Sequence, residues 1–312
     1  GRAVLSINGR NKNMLTLLVS PNTNNIKWTE NPIICYLRVL KPRETALLTL
    51  IGACSAIIAK DEPIAWSQFG LIFAALLSGS AGANGLTNSL DRHVDALMHR
   101  TQGRMLPRGL VKPHLTLLWC LTLVGVGLAT ALALHPYSFA AGLIALAAAV
   151  IARKTWATHF LGSVASNGPI FVAWLAVDPS LSASLLLIGS IIAIWVPLHV
   201  WNLMIAFRND YQRAQVNIFP IHQTVYHTRW ISLGLAGCLW LNGNLIWVFT
   251  SFGPLYGIVA NALGILMVVA CVKMITDANS AASYRIFKLS TYPFLGVTFL
   301  ALTADHVLRG LL

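Results

Sequence analysis

The chain has 312 residues, of which 56% are hydrophobic and only 10% charged, and its formal net charge is +12. A soluble domain carries about 25% charged residues, so this composition excludes an ordinary water-soluble protein. The positive charge alone would suggest a nucleic-acid partner, but its distribution along the chain argues against one.

Residues 1–35 are polar, with Arg2, Arg10, Lys12 and Lys27 and no acid before Glu30. They lack the amphipathic arginine and serine pattern of an organelle-targeting segment, and a poorly ordered tail is expected. From residue 36 to 312 a single intramembrane domain is expected, because leucine- and alanine-rich runs long enough to cross a bilayer core follow one another with little loop between. Spans are predicted near 44–60, 65–87, 114–134, 136–152, 160–177, 182–205, 230–250, 254–274 and 290–309. The predicted fold is therefore all-α and polytopic, a bundle of about nine transmembrane helices.

The connections sort by charge. Arg38, Lys41 and Arg43 precede the first span, and Arg92, Arg100, Arg104, Arg108 and Lys112 fill the second loop. Arg153 and Lys154 lie in the fourth, Arg208, Arg213 and Arg229 around the sixth, and Lys273, Arg285 and Lys288 around the eighth. The odd loops hold Lys60, Asp61, Glu62, His135 and Asp178. This alternation is the positive-inside pattern, placing the N-terminus and the even loops in the cytoplasm. The basicity is thus topological, and no nucleic acid is implied. The five cysteines are scattered singly, without metal or redox spacing, and read as small apolar packing residues.

Just after the second span runs Asn84-x-x-x-Asn88-x-x-Asp91-x-x-x-Asp95, followed by Arg100, Arg104 and Arg108 at every fourth position. On a helix the two aspartates share a face one turn apart. Two like charges so close favour a divalent cation between them, and the arginines suit phosphate oxygens. The pattern reads as a site for magnesium and a diphosphate at a helix end. An ordinary solvated helix end explains one such aspartate, but not an Asn/Asp stripe running into an apolar helix.

A second polar island lies on the sixth span, where His199, Asn202, Asn209 with Asp210, and Arg213 follow helical spacing. Trp195, Trp201, Phe207 and Tyr211 interleave with it, as an interfacial aromatic belt also would. Asp210 is a second anion at a cytoplasmic helix end, placed to face the first site. Arg153-Lys154-Thr155 adds positive charge. Asn167-Gly168-Pro169 interrupts an apolar span, either as a cavity-lining break or as a packing kink.

These residues resemble the UbiA superfamily of intramembrane prenyltransferases, and within it the protoheme IX farnesyltransferase branch. The resemblance runs from about residue 36 to the end. Leu37 to Arg43, Asp91-x-x-x-Asp95-x-x-Met98-x-Arg100-Thr101-x-x-Arg104, Gly162 to Trp174 and the closing Arg285 to Asp305 carry the resemblance, and the first motif marks the superfamily. Trp195-x-x-x-His199-x-Trp201 and Asp210-Tyr211-x-x-Ala214 select the haem branch. Departures occur at Thr87, where the superfamily has asparagine, at Asn209, where an acid is frequent, and at Val196 and Leu198. Met105 and Leu106 follow Arg104, with Pro107 one step late.

The resemblance implies a magnesium-dependent transfer of farnesyl from farnesyl diphosphate to a vinyl group of protoheme IX. Asp91, Asp95 and Asp210 would be catalytic, with Asn88 and Asn209 joining them around magnesium. Arg100, Arg104, Lys154 and Arg208 would hold the diphosphate, and aromatic side chains would shelter the allylic cation. His199, Trp195, Trp201 and Asn202 would contact haem, His199 at the iron or at a propionate. A bacterial inner membrane is the expected location, ahead of the mitochondrial inner membrane. Contact with haem A synthase or a terminal oxidase assembly is an implied partnership. Prenylation of a quinone precursor or another tetrapyrrole, or a non-catalytic transporter, are the alternatives. The alanine at 214, where quinone-directed relatives have aspartate, counts against the first. Charges gathered at one membrane face rather than the midplane count against the last.

Overall fold

A computed structural model describes residues 31–311 apart from 154–156, 217 and 278. Every described regular element is helical. The predicted spans coincide with α2 (Pro42–Ile58), α3 (Trp66–Leu90), α5 (Pro113–Leu134), α6 (Pro136–Ile151), α7 (Thr158–Leu175), α8 (Ala183–Ala206), α10 (Val225–Phe249), α11 (Pro254–Asp277) and the closing run from Ser280 to Leu311. The short α1 (Pro32–Val39), α4 (Arg92–Leu97) and α9 (Arg208–Arg213) lie between or before them.

By length and composition, six of these segments are long and apolar enough to cross a membrane. Among the described residues these six fall short of the expected count of about nine. α2 has 17 residues and α6 has 16, both short for the hydrocarbon core, and α7 is diluted by His159, Asn167 and Pro169. The chain is a polytopic, all-α membrane protein. Its outward faces fit lipid, with Leu118, Leu241, Val248 and Ile258 between 60% and 69% exposed. The predicted cytoplasmic N-terminus, the tail over residues 1–30 and Lys154 fall outside the described residues.

Local chemistry starts the helices where the sequence offers it. Proline occupies the first turn of α1, α2, α5 and α6, where its missing N–H matters least. Ser182 caps α8 by accepting the Leu185 N–H at 3.2 Å, and Thr224 and Asn279 cap α10 and α12 (Ser280–Leu289) in the same way. The last segment does not run straight. A wide π-type turn over Ser290–Gly296, with Thr291 off helical geometry and Pro293 inside, joins α12 to α13 (Val297–Leu311). α7, by contrast, continues through Gly168 and Pro169, so the predicted interruption there is no break in the helix. Gly168 admits the Ala145 side chain of α6, and both residues line a cavity described below.

α3 and α5 touch backbone to backbone. A Cβ on Gly82 would lie 2.7 Å from the Val124 nitrogen, and one on Gly127 would lie 2.7 Å from the Gly79 Cα. Close approach through small residues is how membrane helices gain contact when lipid gives them no hydrophobic incentive to pair. The largest core cluster lies among α2, α7, α8, α10, α11 and the closing segment, around Ile51, Ile188, Tyr256 and Phe299.

Candidate active site

The end of α3 organises the site. Asp91 is the capping residue at which α3 stops and α4 begins, with φ −87° and ψ 1°. The turn-to-turn ladder survives the bend, since Asp91 N–H donates to Thr87 O at 3.0 Å and Asp95 N–H donates to Asp91 O at 2.9 Å. The two carboxylates therefore remain one turn apart, as the spacing predicts, but their settings differ. The Asp95 side chain is 2% exposed and bonded to Arg104 Nη1 at 2.6 Å, whereas that of Asp91 is 19% exposed and lies 3.9 Å from Arg153 Nε.

Beyond Leu97 the chain leaves the helix for a series of turns, so Arg100, Arg104 and Arg108 do not continue a helical stripe. Folding back is what brings Arg104 onto Asp95. Its Nη1 also reaches the Asn88 side-chain oxygen at 3.1 Å. Asn88 in turn donates to the Val39 carbonyl at 2.7 Å, and Asn84 donates to Thr45 Oγ1 at 3.0 Å. The asparagine stripe thus fastens α3 to the entry of α2. Asn88 reaches the site as the partner of Arg104.

The other acidic site is held differently. Asp210, on α9, is buried and accepts the Arg100 backbone N–H at 2.8 Å, with Arg213 at 3.8 Å. Asn209 beside it is exposed. Among the described residues, no three His, Cys, Asp or Glu side chains gather tightly enough to hold a metal by themselves. Arg100 lies over the Phe207 ring at 5.4 Å. Arg208 donates to the Gln223 carbonyl at 2.9 Å and is not part of the wall described next.

A basic pocket of about 610 Å³ opens at this end of the bundle. Arg38, Lys41, Arg43, Arg100 and Arg104 line it together with Glu44, Asn88 and Asp95. Lys41 holds a left-handed backbone, φ 50°, at the start of α2. Burial, and then the neighbouring Arg104 charge, push its ammonium down to about 8, against the pull of Glu44, Asp95 and Asp91. The partial positive charge of the α2 N-terminus adds to the same wall. Sequence reasoning gave Lys41 and its neighbours to topology and to the family resemblance, and did not place them at the diphosphate. The Lys41-Pro42 step just before an apolar run was the available signal.

An apolar cavity of about 170 Å³ begins at Asn84 and Thr87, one turn deeper along α3. It continues between α3, α5, α6 and α7 past Ala83, Gly79 and Ala145 to Leu76, Ala131 and Val172. Among the described residues its lining contains no aromatic side chain and is mostly Ala, Gly, Leu and Val, so the expected aromatic shelter is not found on this wall.

The four predicted acceptor contacts do not converge. Trp195 and His199 face α12 and the π-type turn, with Trp195 donating to the Ser290 carbonyl at 2.5 Å. Trp201 donates to His159 Nδ1 at 2.7 Å on the α7 side. Asn202 turns toward α10, donating to Ser232 Oγ at 3.1 Å. Trp195, His199 and Asn202 share one helix stripe, at i, i+4 and i+7, while Trp201 points elsewhere; along that stripe the packing partner changes from Ser290 to Ser232 of α10.

Magnesium fits the donor set. It keeps several waters and takes one or two carboxylates plus substrate phosphates, and Asp91 and Asp95 offer two hard oxygen donors beside a cationic pocket. Arg153, at the end of α6, leaves Nε and Nη1 without hydrogen-bond partners, in position to add cationic charge near Asp91.

A protoheme IX farnesyltransferase of Alkalilimnicola ehrlichii is 32% identical over 283 residues, covering 88% of this chain and 92% of the relative. One from Desulforudis audaxviator is 28% identical over 286 residues, covering 88% and 89%. The structure of a UbiA homolog from Archaeoglobus fulgidus, bound to GPP and Mg2+, superposes with a TM-score of 0.62 at 14% identity, over 86% of this chain and 99% of that one. The model of the UbiA prenyltransferase family matches residues 46–292, and the chain belongs to that family.

Proposed function

We propose that this protein transfers a farnesyl group from farnesyl diphosphate to a vinyl group of protoheme IX, with magnesium, giving haem O. One observation supports the reading above the others: a cationic pocket lined by Asn88 and an apolar cavity lined by Thr87 open beside consecutive residues of a single helix end. A molecule with a polyanionic head and an isoprenoid tail matches that pair. The haem acceptor rests on the relatives and on the tryptophan-histidine motif.

Asp91 and Asp95 would hold magnesium, which would supply Lewis-acid neutralisation of the diphosphate. Lys41, Arg43, Arg100 and Arg104 hold the head group and stabilise the charge that grows on it as the allylic C–O bond breaks. The Ala/Gly wall keeps water from the carbocation until the vinyl carbon attacks. A new C–C bond forms, and water then adds to the benzylic-type cation to leave the hydroxyethyl group. Asp210 orders the 98–112 segment through Arg100, and a direct ligand role is assigned to it only if the Arg100 contact opens. Lys154 is a secondary contributor to diphosphate binding, and Arg208, turned to the Gln223 carbonyl, is left out of it. A bacterial inner membrane remains the proposed location, with about nine crossings and the basic loops inside.

Membranes containing the protein, given labelled farnesyl diphosphate, magnesium and haem, are expected to produce haem with the mass of one hydroxyfarnesyl addition. Mass gain on a quinone precursor instead, or on no acceptor, overturns the reading. Ala83→Phe fills the tail cavity and is expected to slow farnesyl transfer about 100-fold, the scale of a misplaced substrate, while dimethylallyl diphosphate turnover persists.

Lys41 gives a pH signature. Its folded value of about 8 lies below the ordinary 10.5, so folding disfavours the charged form, and the associated penalty disappears as pH rises from 8 toward 10.5. A bound diphosphate restores the charge and draws in a proton. Affinity for farnesyl diphosphate is therefore expected to fall as pH rises above about 8. Lys41→Met lowers the affinity and flattens this dependence, as titration calorimetry at pH 7 and 9 measures.

A further inference from the structure

Helix α1 has two apolar sides, and among the described residues only one of them is covered by protein. Asn31 caps the helix by accepting the Ile33 N–H at 2.9 Å, and Pro32 opens its first turn. Cys35 and Val39, four positions apart and so on one face, are buried against Met105, Leu106, Leu110 and Val111 of the turn-rich segment beyond α4. Ile33, Ile34 and Leu37 take the other side and are between 47% and 69% exposed. The eight residues of α1 are too few to hold a helix in water by propensity alone. Three neighbouring apolar side chains left in water add a further cost.

Hydrogen bonds fix the level at which α1 lies. Asn88 Nδ2 donates to the Val39 carbonyl and Thr45 Oγ1 to the Leu40 carbonyl, each at 2.7 Å. Asn88 belongs to the last turn of α3, a helix long and apolar enough to cross a membrane, and the charged residues begin just beyond it at Asp91. Leu90 on that turn is exposed, so the outward apolar surface of the bundle extends to the same level. Lys41, in its left-handed conformation, then turns the chain, and α1 does not prolong α2. A short helix at this level, turned away from the next one and apolar toward the outside, has the form of an in-plane interfacial helix.

We propose that α1 lies in the membrane interface on the side of the basic loops, with Ile33, Ile34 and Leu37 among the lipid acyl chains, and that this seat holds one wall of the basic pocket. The wall role rests on the diphosphate reading above. Arg38 and Val39 of α1 line the pocket, and Asn88 bonds both Val39 and Arg104. Movement of α1 therefore shifts Arg38 directly and loosens the asparagine that meets Arg104, the partner of Asp95. Lipid is the occupant because the bilayer is already present at this level, whereas a second protein surface has to be brought to it.

Spin labels test the seat. Cys238 is exposed and the other cysteines are buried, so the full-length protein carries Cys238→Ser together with Ile33→Cys, Ile34→Cys or Leu37→Cys. Each is labelled with a nitroxide in nanodiscs of phosphatidylcholine and phosphatidylglycerol. Glu62→Cys, at a side chain 75% exposed, is the aqueous reference. At all three positions the nitroxide is expected to collide with oxygen more than with a water-soluble nickel chelate, the reverse of the reference. Nickel access equal to the reference overturns the lipid seat. Exclusion of both reagents overturns it too: spin–spin broadening that unlabelled protein dilutes away marks a second copy, and its absence marks another part of this chain as the cover. The triple variant Ile33→Ser, Ile34→Ser, Leu37→Ser is expected to raise KM for farnesyl diphosphate about 10-fold, the scale of one lost hydrogen bond, with kcat and circular dichroism kept. An unchanged KM with the labels in lipid overturns the wall role alone. Labels in lipid with no farnesyl diphosphate turnover in wild type overturn the diphosphate reading, and the wall role with it, while the lipid seat stands.

Discussion

Asp95→Asn is expected to lower kcat/KM by at least about 10²- to 10³-fold, the scale for removing one charge-stabilising group from a preorganised site. The substitution keeps size and one oxygen but removes the carboxylate charge. Two losses coincide. Magnesium loses a hard anionic donor, and Arg104, now facing an amide, loses the 2.6 Å ion pair that aims it. Initial rates across a magnesium titration check this, with circular dichroism confirming that the helices persist. A double-mutant cycle separates the two losses. If Asp95 acts only by aiming Arg104, then Asp95→Asn costs nothing further in an Arg104→Met background; if it also holds metal, the magnesium requirement rises in both backgrounds. Near-normal turnover in Asp95→Asn would remove Asp95 from the chemistry.

Gly127→Val is expected to disrupt folding and activity together. The space a Cβ needs there is taken by the Gly79 Cα and nitrogen at 2.7 Å. Backbone cannot rotate aside as a side chain does, so relief requires α3 and α5 to part. The destabilisation should exceed the roughly 1–3 kcal/mol usual for overpacking, and the displaced α3 carries Asn88 and Asp91 with it. Gly125, two residues away, has nothing within 4 Å of its added Cβ. Gly125→Ala is therefore the control, expected to leave stability unchanged or raise it by about 0.5–1 kcal/mol. Thermal unfolding in detergent, followed beside activity, distinguishes the two. Equal behaviour of the variants would show that the α3–α5 contact is not decisive.

The helices were legible because bilayer-length apolar runs end at proline, serine, threonine and asparagine, and these are local signals. So was the aspartate pair, whose spacing needs only one helical turn. The contacts made across the chain were not legible. Asn88 meets Val39, and Asp210 meets the Arg100 backbone 110 positions away; no periodicity reports such a meeting. The same holds for Lys41, whose altered ammonium depends on the Arg104 that folds back toward it. Helical spacing also overreached. It continued a stripe through Arg100, Arg104 and Arg108, where the chain is a series of turns, and it grouped Asn202 with His199 although the first bonds Ser232 of α10 and the second Ser290.

The glycine contact between α3 and α5 also decides which walls of the tail cavity can change. Two helices in backbone contact cannot be spread without breaking, so their side of the cavity has a fixed contour. The opposite side, from α6 and α7, presents Ala145, Ala149, Ala165 and Ser166. Ala145 is fixed by its fit against Gly168, but Ala149, Ala165 and Ser166 make no such close approach, so on the proposed reading the room for longer or shorter isoprenoids would be set at those three positions.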